Sequence, residues 1–268
     1  MTVLSDESAH AHAIFEALEA RTVSSTLRDP ALDLSHAYEV SRHLMELHAS
    51  RADPVVGYKI GFTNPALWPL LGITEPMAGH IYRSSCIIGA TASNLSLKRF
   101  CGVPQIEPEL IFELGCTPDP DMSEDELMRC VSRVALGFEF VQSIYPDWKF
   151  TPAEAVAAGS VHGALIVGDW IDADDLSPRD IRAINVAFTR NGLEVATGTA
   201  AAVMGSPLSA LAWLTILAAR APTCISLTPG DLISSGSMTL PVPVSSGEEW
   251  QVTSSNGLAL PPTSIRLI

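Results

Sequence analysis

An α+β fold with strands dominating its second half is predicted by three features of the sequence. The first 50 residues hold two helical apolar patterns, the middle holds strand-like runs with acids at alternate positions, and from Thr228 onward short runs are punctuated by Pro229-Gly230, Ser246-Gly247 and Asn256-Gly257. A chain of 268 residues, 47% hydrophobic and 17% charged, buries a substantial core and needs no staples to fold.

In chain order, Ser5 to about Arg21 sets Ile14, Phe15 and Leu18 on one side of a helix, with Asp6 and Glu7 near the start, where the helix dipole favours acids. A second helix is expected from about Ser35, striped by Ala37, Val40, Leu44 and Leu47. His36, His43 and His48 ride on it beside polar neighbours and without i, i+4 spacing, so they read as solvated surface. Val55 to Phe62 is a strand with Lys59 in its middle. That lysine is either desolvated near carboxylates, as an acid/base group or anion anchor, or it lies on an edge strand with a snorkelling stem. The Pro- and Gly-punctuated Asn64 to Gly79 reads as a connection, dividing an N-terminal helical region (1–78, with the Lys59 strand) from a main domain (79–268).

Further on, Ser123 to Glu126 is a capping box that opens a short helix. The Ala-rich Pro152 to Ala158 suits a short mobile lid or an ordinary connector. Val161 to Val167 is a strand, and Ile184 to Phe188 with Leu193 to Thr197 flank Asn191-Gly192, a hairpin signal. Ser206-Pro207 opens the one clear helix of this half, Ser at the cap and Pro in the first turn.

The chemistry concentrates in Ile106-Glu107-Pro108-Glu109-Leu110-Ile111-Phe112. Alternate residues of a strand share a face, so Glu107 and Glu109 stand side by side among apolar neighbours. Such a pair requires a cation, a shared proton or full solvation. Glu139, in Gly137-Phe138-Glu139-Phe140-Val141, is able to close a three-carboxylate site of a kind that suits Mg²⁺ or Mn²⁺ better than zinc. The alternative is an exposed acidic strand face that binds nothing.

Bulk charge narrows the partners. A formal charge of −14 argues against nucleic acid and anionic membranes, and it makes a small acidic substrate dependent on a local metal or cation. The five cysteines form no C-x-x-C pair and read as reduced thiols. Met1 to Ser8 has neither the basic start nor the apolar stretch of a signal peptide, so a soluble protein of cytoplasmic location is expected. The longest apolar segment, Leu208 to Ala219, is interrupted by Ser209 and Thr215 and ended by Arg220, short of the ~20 residues that span a bilayer.

Together these stretches resemble the 2-keto-4-pentenoate hydratase and 4-oxalocrotonate decarboxylase branch of the fumarylacetoacetate hydrolase superfamily, over nearly the whole chain. The resemblance rests on Gly57-Tyr58-Lys59-Ile60-Gly61-Phe62-Thr63, Leu71-Gly72, Glu107-Pro108-Glu109, Phe138-Glu139-Phe140-Val141, Asp147-Trp148-Lys149, Gly205-Ser206-Pro207-Leu208 through Leu214, and Gly230-Asp231-Leu232-Ile233-Ser234-Ser235-Gly236. It implies a mixed β-roll or sandwich with a small N-terminal helical region, a homo-oligomer, and a Mg²⁺ or Mn²⁺ site of Glu107, Glu109 and Glu139 that a 2-oxo acid chelates. It also implies an active-site role for Lys59 as proton shuttle or electrostatic stabiliser, a substrate contact for Ser235, and one for Lys149 in the lid segment.

The departures are equally specific. Where hydratases of this branch carry an Asp shortly after the Leu-Gly motif, this chain has Met77; their Asp-Asn-Ala-Ser pattern is replaced by Ala158-Gly159-Ser160-Val161, and Gln142 stands where an acid follows the third ligand. His162 and Glu75 are the candidates to supply the missing proton transfer, although His162 reads equally as a hydrogen-bonded core histidine. The expected activity is a metal-dependent lyase on an enolisable 2-oxo acid, hydratase-like. The alternatives are a 2-oxo-3-enedioate decarboxylase, a C–C hydrolase or tautomerase on the same site, and a non-catalytic partner subunit.

Overall fold

The computed structural model describes residues 6–89, 93–256 and 258–268. Met1 to Ser5, most of the stretch read above for a signal peptide, and Gly257 of the Asn256-Gly257 turn lie outside the described residues.

Helices α1 (Asp6–Ala20) and α2 (Leu34–Ser50) form where the apolar stripes predict them, the second capped by the Asp33 side chain, which accepts from the His36 N–H. Strands β1 (Val55–Gly61) and β2 (Met77–Tyr82) follow, with the short α3 (Trp68–Leu71) between them. After β3 (Cys86–Ile88) and β4 (Ser93–Leu95) come β5 (Gln105–Leu114), α4 (Glu124–Cys130), β6 (Val131–Val141), α5 (Pro152–Ala157) and β7 (His162–Val167). The remainder comprises β8 (Ile171–Asp172), α6 (Pro178–Arg182), β9 (Asn185–Arg190), β10 (Leu193–Thr199), α7 (Pro207–Arg220), β11 (Leu232–Ser237), β12 (Val242–Pro243), β13 (Glu249–Asn256) and β14 (Thr263–Leu267). Asn191 and Gly192 both take positive φ, 53° and 76°, the turn that the hairpin signal requires.

The larger sheet runs β2-β1-β11-β5-β6-β7-β3, with β12 beside β5 and β8 beside β6; the smaller runs β10-β9-β13-β14-β4. The even-numbered residues of β5 and β6, among them Leu110, Phe112, Leu136 and Phe138, join Val186, Phe188, Trp250 and Leu211 of α7 in the principal core. Phe188 ties the sheets together, 5.9 Å from Phe138 and 4.8 Å from Trp250, ring centre to ring centre. The odd-numbered face of the same two strands carries the acids.

Several expectations change. β1 is hydrogen-bonded on both sides, to β2 and to β11, so Lys59 belongs to an interior strand. The Asn64 to Gly79 connection includes helical turns and the start of β2, whose buried residues the apolar content of Met77 to Tyr82 allowed. α5 is a packed element, not a mobile lid: Ala153, Val156 and Ala157 are buried in the cluster formed with α1 and α2. His48 is half-buried, bonding Asp53 and stacking on Tyr82, because α2 turns that edge toward β2. Cys116 and Cys130 are disulfide-bonded, since the β5–β6 ladder brings their Cα atoms to 5.0 Å where it ends, an adjacency that a 14-residue separation does not reveal. The helical run Ala200–Arg220 has the length and mean hydropathy of a membrane span, but 56% of its apolar 18-residue window is buried inside the fold, as in a core helix.

Candidate active site

Strand register assembles the acids. Glu107 on β5 is the direct partner of Glu139 on β6, and Glu109 follows two residues along the same face. One oxygen from each of the three lies within 4.8 Å of the others, about twice the ~2.1–2.4 Å of a hard cation's bonds to oxygen. Glu139 is 0% exposed, Glu109 is buried, and Glu107 is partly open to a cleft.

Each acid has a distinct set of partners. The Ser234 hydroxyl donates to Glu109 Oε2, as does the Gly236 N–H at 3.0 Å. Gly236 has φ of 109° and presses on Thr63, where a Cβ would lie 2.2 Å from Thr63 Oγ1, so only glycine brings that amide to the carboxylate. Glu139 Oε1 pairs with His162 Nδ1 at 2.9 Å, and Oε2 faces Lys59 Nζ at 3.1 Å. Beyond that ionic contact the buried Oε2 has no hydrogen-bond partner. Lys59 donates as well to the Ser160 carbonyl at 3.2 Å, and the Ser160 hydroxyl donates to the Ala78 carbonyl at 2.6 Å. Gly79 allows that contact, since a Cβ there would lie 2.4 Å from the Gly159 oxygen.

The electrostatics divide the acids. Burial, then the neighbouring Glu139 charge, pushes Glu107 up to about 7 against the pull of Lys59. Burial and the other two acids push Glu109 well above the carboxylate range. For Glu139 burial acts upward, but Lys59 and then His162 outweigh it and hold the carboxyl below its ordinary value. Lys59 is raised: burial acts downward, and the three acids overcome it. One lysine does not neutralise three clustered acids, and the all-oxygen donor set fits a hard divalent cation.

Glu107, Glu109 and Lys59 line a cleft of about 550 Å³, with Glu139 buried against them. Its walls are largely apolar, with Phe62, Leu67, Val141, Trp148, Phe150 and Leu240, and among the described lining residues Lys59 is the one basic side chain.

The structure brings together Lys59, Glu107, Glu109 and Glu139 from the residues named by sequence. His162 joins them from behind: it bonds Glu139 and does not line the cleft. Ser235 is turned away, its hydroxyl donating to the Leu110 carbonyl at 2.8 Å, and Ser234 faces the acids instead. Lys149 is solvent-exposed beside Asp147, although its neighbours Trp148 and Phe150 line the cleft. Glu75 lies apart, accepting from Trp213 Nε1 and pairing with Arg220, and Met77 is buried among apolar residues. Sequence reasoning did not single out Gln105, Thr63, Asn64 or Ser234. Gln105 was accessible by the strand period, being two residues before Glu107; Thr63 directly follows the Lys59 strand; nothing local marks the others.

Comparison with known proteins adds a family. Residues 72–258 match the model described as fumarylacetoacetate (FAA) hydrolase C-terminal. A 2-keto-4-pentenoate hydratase of Paraburkholderia xenovorans (strain LB400) is 29% identical over 246 residues, covering 90% of this chain and 88% of the relative. A 4-oxalocrotonate decarboxylase of a Pseudomonas species is 26% identical over 231 residues, covering 86% and 87%. The solved structure of 4-oxalocrotonate decarboxylase from Pseudomonas putida G7, complexed with magnesium and adipate, superposes with a TM-score of 0.90 at 24% identity, covering 100% of this chain and 99% of that one.

Proposed function

The chain belongs to the fumarylacetoacetate hydrolase family, and from that premise we propose that it is a divalent-metal-dependent lyase that hydrates a 2-hydroxy-2,4-dienoate to a 4-hydroxy-2-oxo acid. The observation that carries this reading is the convergence of Glu107, Glu109 and Lys59 in the wall of a largely apolar cleft, with Glu139 buried against them. The three acids would hold the ion, Mg²⁺ or Mn²⁺, which when bound supplies Lewis-acid stabilisation of the charge developing on the 2-oxo oxygen.

The protein's own groups do the rest. Lys59, lining the cleft beside the acids, is the candidate catalytic residue, donating a proton to the substrate or stabilising its charge. His162 fixes Glu139 from the side away from the cleft and is assigned as a positioning residue. Phe62, Trp148 and Phe150 exclude water around the carbon chain.

Decarboxylation of a 2-oxo-3-enedioate draws on the same charge stabilisation but also requires a partner for a second carboxylate. With Lys59 the one basic side chain among the described lining residues, the cleft favours the monoacid. A non-catalytic subunit has no use for a buried Lys59 among three acids. A homo-oligomer belongs to this reading through the family resemblance, and light scattering after size exclusion tests it; cytoplasmic residence belongs to it through the character of Met1 to Ser8.

The direct test follows the absorbance of 2-hydroxy-2,4-dienoates, 2-oxo-3-enedioates and acylpyruvates with Mg²⁺, with Mn²⁺ and with EDTA. Loss of the dienoate chromophore only with metal, abolished in Glu139→Ala and yielding the 4-hydroxy-2-oxo acid, supports the proposal. Release of CO₂ from the enedioates at a higher kcat/KM, or no turnover of any compound while metal binds, overturns it.

A further inference from the structure

Behind Glu139, on the side away from the cleft, lies a second cavity of about 380 Å³, bounded by the end of α1, by α2 and β2, and by the turn before β7. His162 separates the two spaces. Its Nδ1 contacts Glu139 and its Nε2 lies 2.9 Å from the Ser85 hydroxyl, which itself lines the rear cavity. We propose that this rear cavity binds a small aliphatic carboxylate, independently of the reaction assigned to the front cleft.

Two features of the wall point to an anion. Arg21 and Arg99 both line it, near enough that the charge of Arg21 opposes that of Arg99. Their hydrogen bonds among the described residues go to backbone carbonyls, Arg21 to Glu19 at 3.3 Å and Arg99 to Ser84 at 2.9 Å, and neither has a described ion pair. A guanidinium carries five donors, so most remain for a ligand. In a chain of formal charge −14, two guanidiniums lining one cavity with no described carboxylate partner are a specific arrangement. Glu19, exposed at the rim, is the one acid on this wall among the described residues.

The second feature is independent of charge. Tyr82 is only 6% exposed, lines the cavity under the stacked ring of His48, and its hydroxyl is buried with no hydrogen-bond partner. A buried donor in that state is destabilising, and it belongs to a side chain that walls this cavity.

The remaining walls choose among anions. Leu18, Leu44 and Ala158 line the same space, so a bare phosphate leaves apolar surface uncovered. A short-chain carboxylate sets its oxygens toward Arg21 and Arg99 and its carbon chain against the leucines.

The experiment is calorimetric titration of the full chain, loaded with Mg²⁺ and again in EDTA, using butyrate, the neutral butyramide and inorganic phosphate. Butyrate is expected to bind in both conditions and in the cleft variant Glu107→Gln. Its binding is expected to weaken at least about ten-fold in Arg99→Gln and in Arg21→Gln, and to a lesser extent in Tyr82→Phe. Arg21 is exposed, so its variant keeps the test decisive if Arg99→Gln unfolds. Butyramide binding as tight as butyrate, phosphate binding tighter, binding lost in Glu107→Gln but kept in both arginine variants, or no butyrate heat up to about 10 mM each overturns the proposal.

Discussion

Two regions of this molecule bury glutamates to the same depth and treat them in opposite ways. Glu154, at the start of α5, is 0% exposed and is satisfied from within the protein. Its Oε1 accepts from Arg28 Nε at 2.7 Å and from the Asp29 N–H at 2.6 Å, and its Oε2 accepts from the Thr151 N–H at 2.6 Å. Although burial acts upward, these donors hold its carboxyl below the usual range. Glu139, also 0% exposed, keeps an oxygen without a hydrogen-bond partner and shares its surroundings with two further acids, both pushed upward. Burial alone therefore does not distinguish a structural acid from one of the candidate site. The supply of donors does: a complete set ties the α1–α2 connection to α5, and an incomplete one leaves work for a cation.

The largest expected effect falls where the donors are incomplete. Glu139→Ala removes one of the three proposed ligands and the partner of both Lys59 and His162, and turnover should fall at least about a thousand-fold. Because it relieves repulsion in the metal-free cluster, the same change should leave the Tm in EDTA close to that of the parent. Glu154→Ala should do the reverse, costing about 2–4 kcal/mol and lowering the Tm by roughly 5–12 °C while kcat at low temperature stays near the parent's. If Glu154→Ala abolished turnover in a folded protein, or Glu139→Ala unfolded it, the distinction would not hold.

The same contrast has a pH signature of opposite sign. Glu154 is held below its ordinary 4.5, so the stability it contributes is present above that pH and is lost as pH falls through its folded value. Glu107 is raised from 4.5 to about 7, so the metal-free fold loses stability as pH climbs through that window. Tm measured against pH in EDTA should lose part of its acid-side fall in Glu154→Gln and part of its neutral-side fall in Glu107→Gln. Mg²⁺ should reproduce the second effect in the parent chain, because the ion takes the place of the protons.

A smaller effect is expected one bond farther out. His162→Gln leaves all three acids in place but removes the side chain that orients Glu139 Oε1, so Mg²⁺ affinity should weaken about 10–100-fold with kcat recovering at saturating metal. Loss of kcat that excess Mg²⁺ does not restore would mean that His162 acts on substrate directly.

How much of this was legible in the sequence depended on the range of the interaction. The period-two placement of Glu107 and Glu109, the Asn191-Gly192 hairpin and the Ser206-Pro207 cap are local and were readable outright. The interior position of β1 was not, because its partners, β2 and β11, lie one close and one far along the chain. Ser235 illustrates a finer failure. The final signature offers consecutive serines, which point to opposite faces, and the β5–β11 register shifts between Ser234 and Ser237, so the choice between them rests on pairing. His162 was named as a candidate, but which way its ring faces, toward the cleft or behind Glu139, depended on the β6–β7 pairing.

The exposed pair Asp147 and Lys149 supplies the lower limit of the comparison. Lys149 carries the family-like lid motif, yet its side chain is 76% exposed and its ammonium stands 3.6 Å from an equally exposed Asp147 carboxylate. Water solvates both charges and salt screens them, so the pair contributes little to the fold. The residues on either side, Trp148 and Phe150, are the ones that reach the cleft wall. Lys149→Ala should therefore leave Tm unchanged and alter kcat/KM by less than about two-fold, whereas Trp148→Ala, which opens the apolar wall, should raise KM several-fold. A large loss of kcat/KM in Lys149→Ala that vanished at high ionic strength would instead mean that the segment closes over an anionic substrate. The charge of Lys149 would then belong to the same incomplete donor set as Lys59.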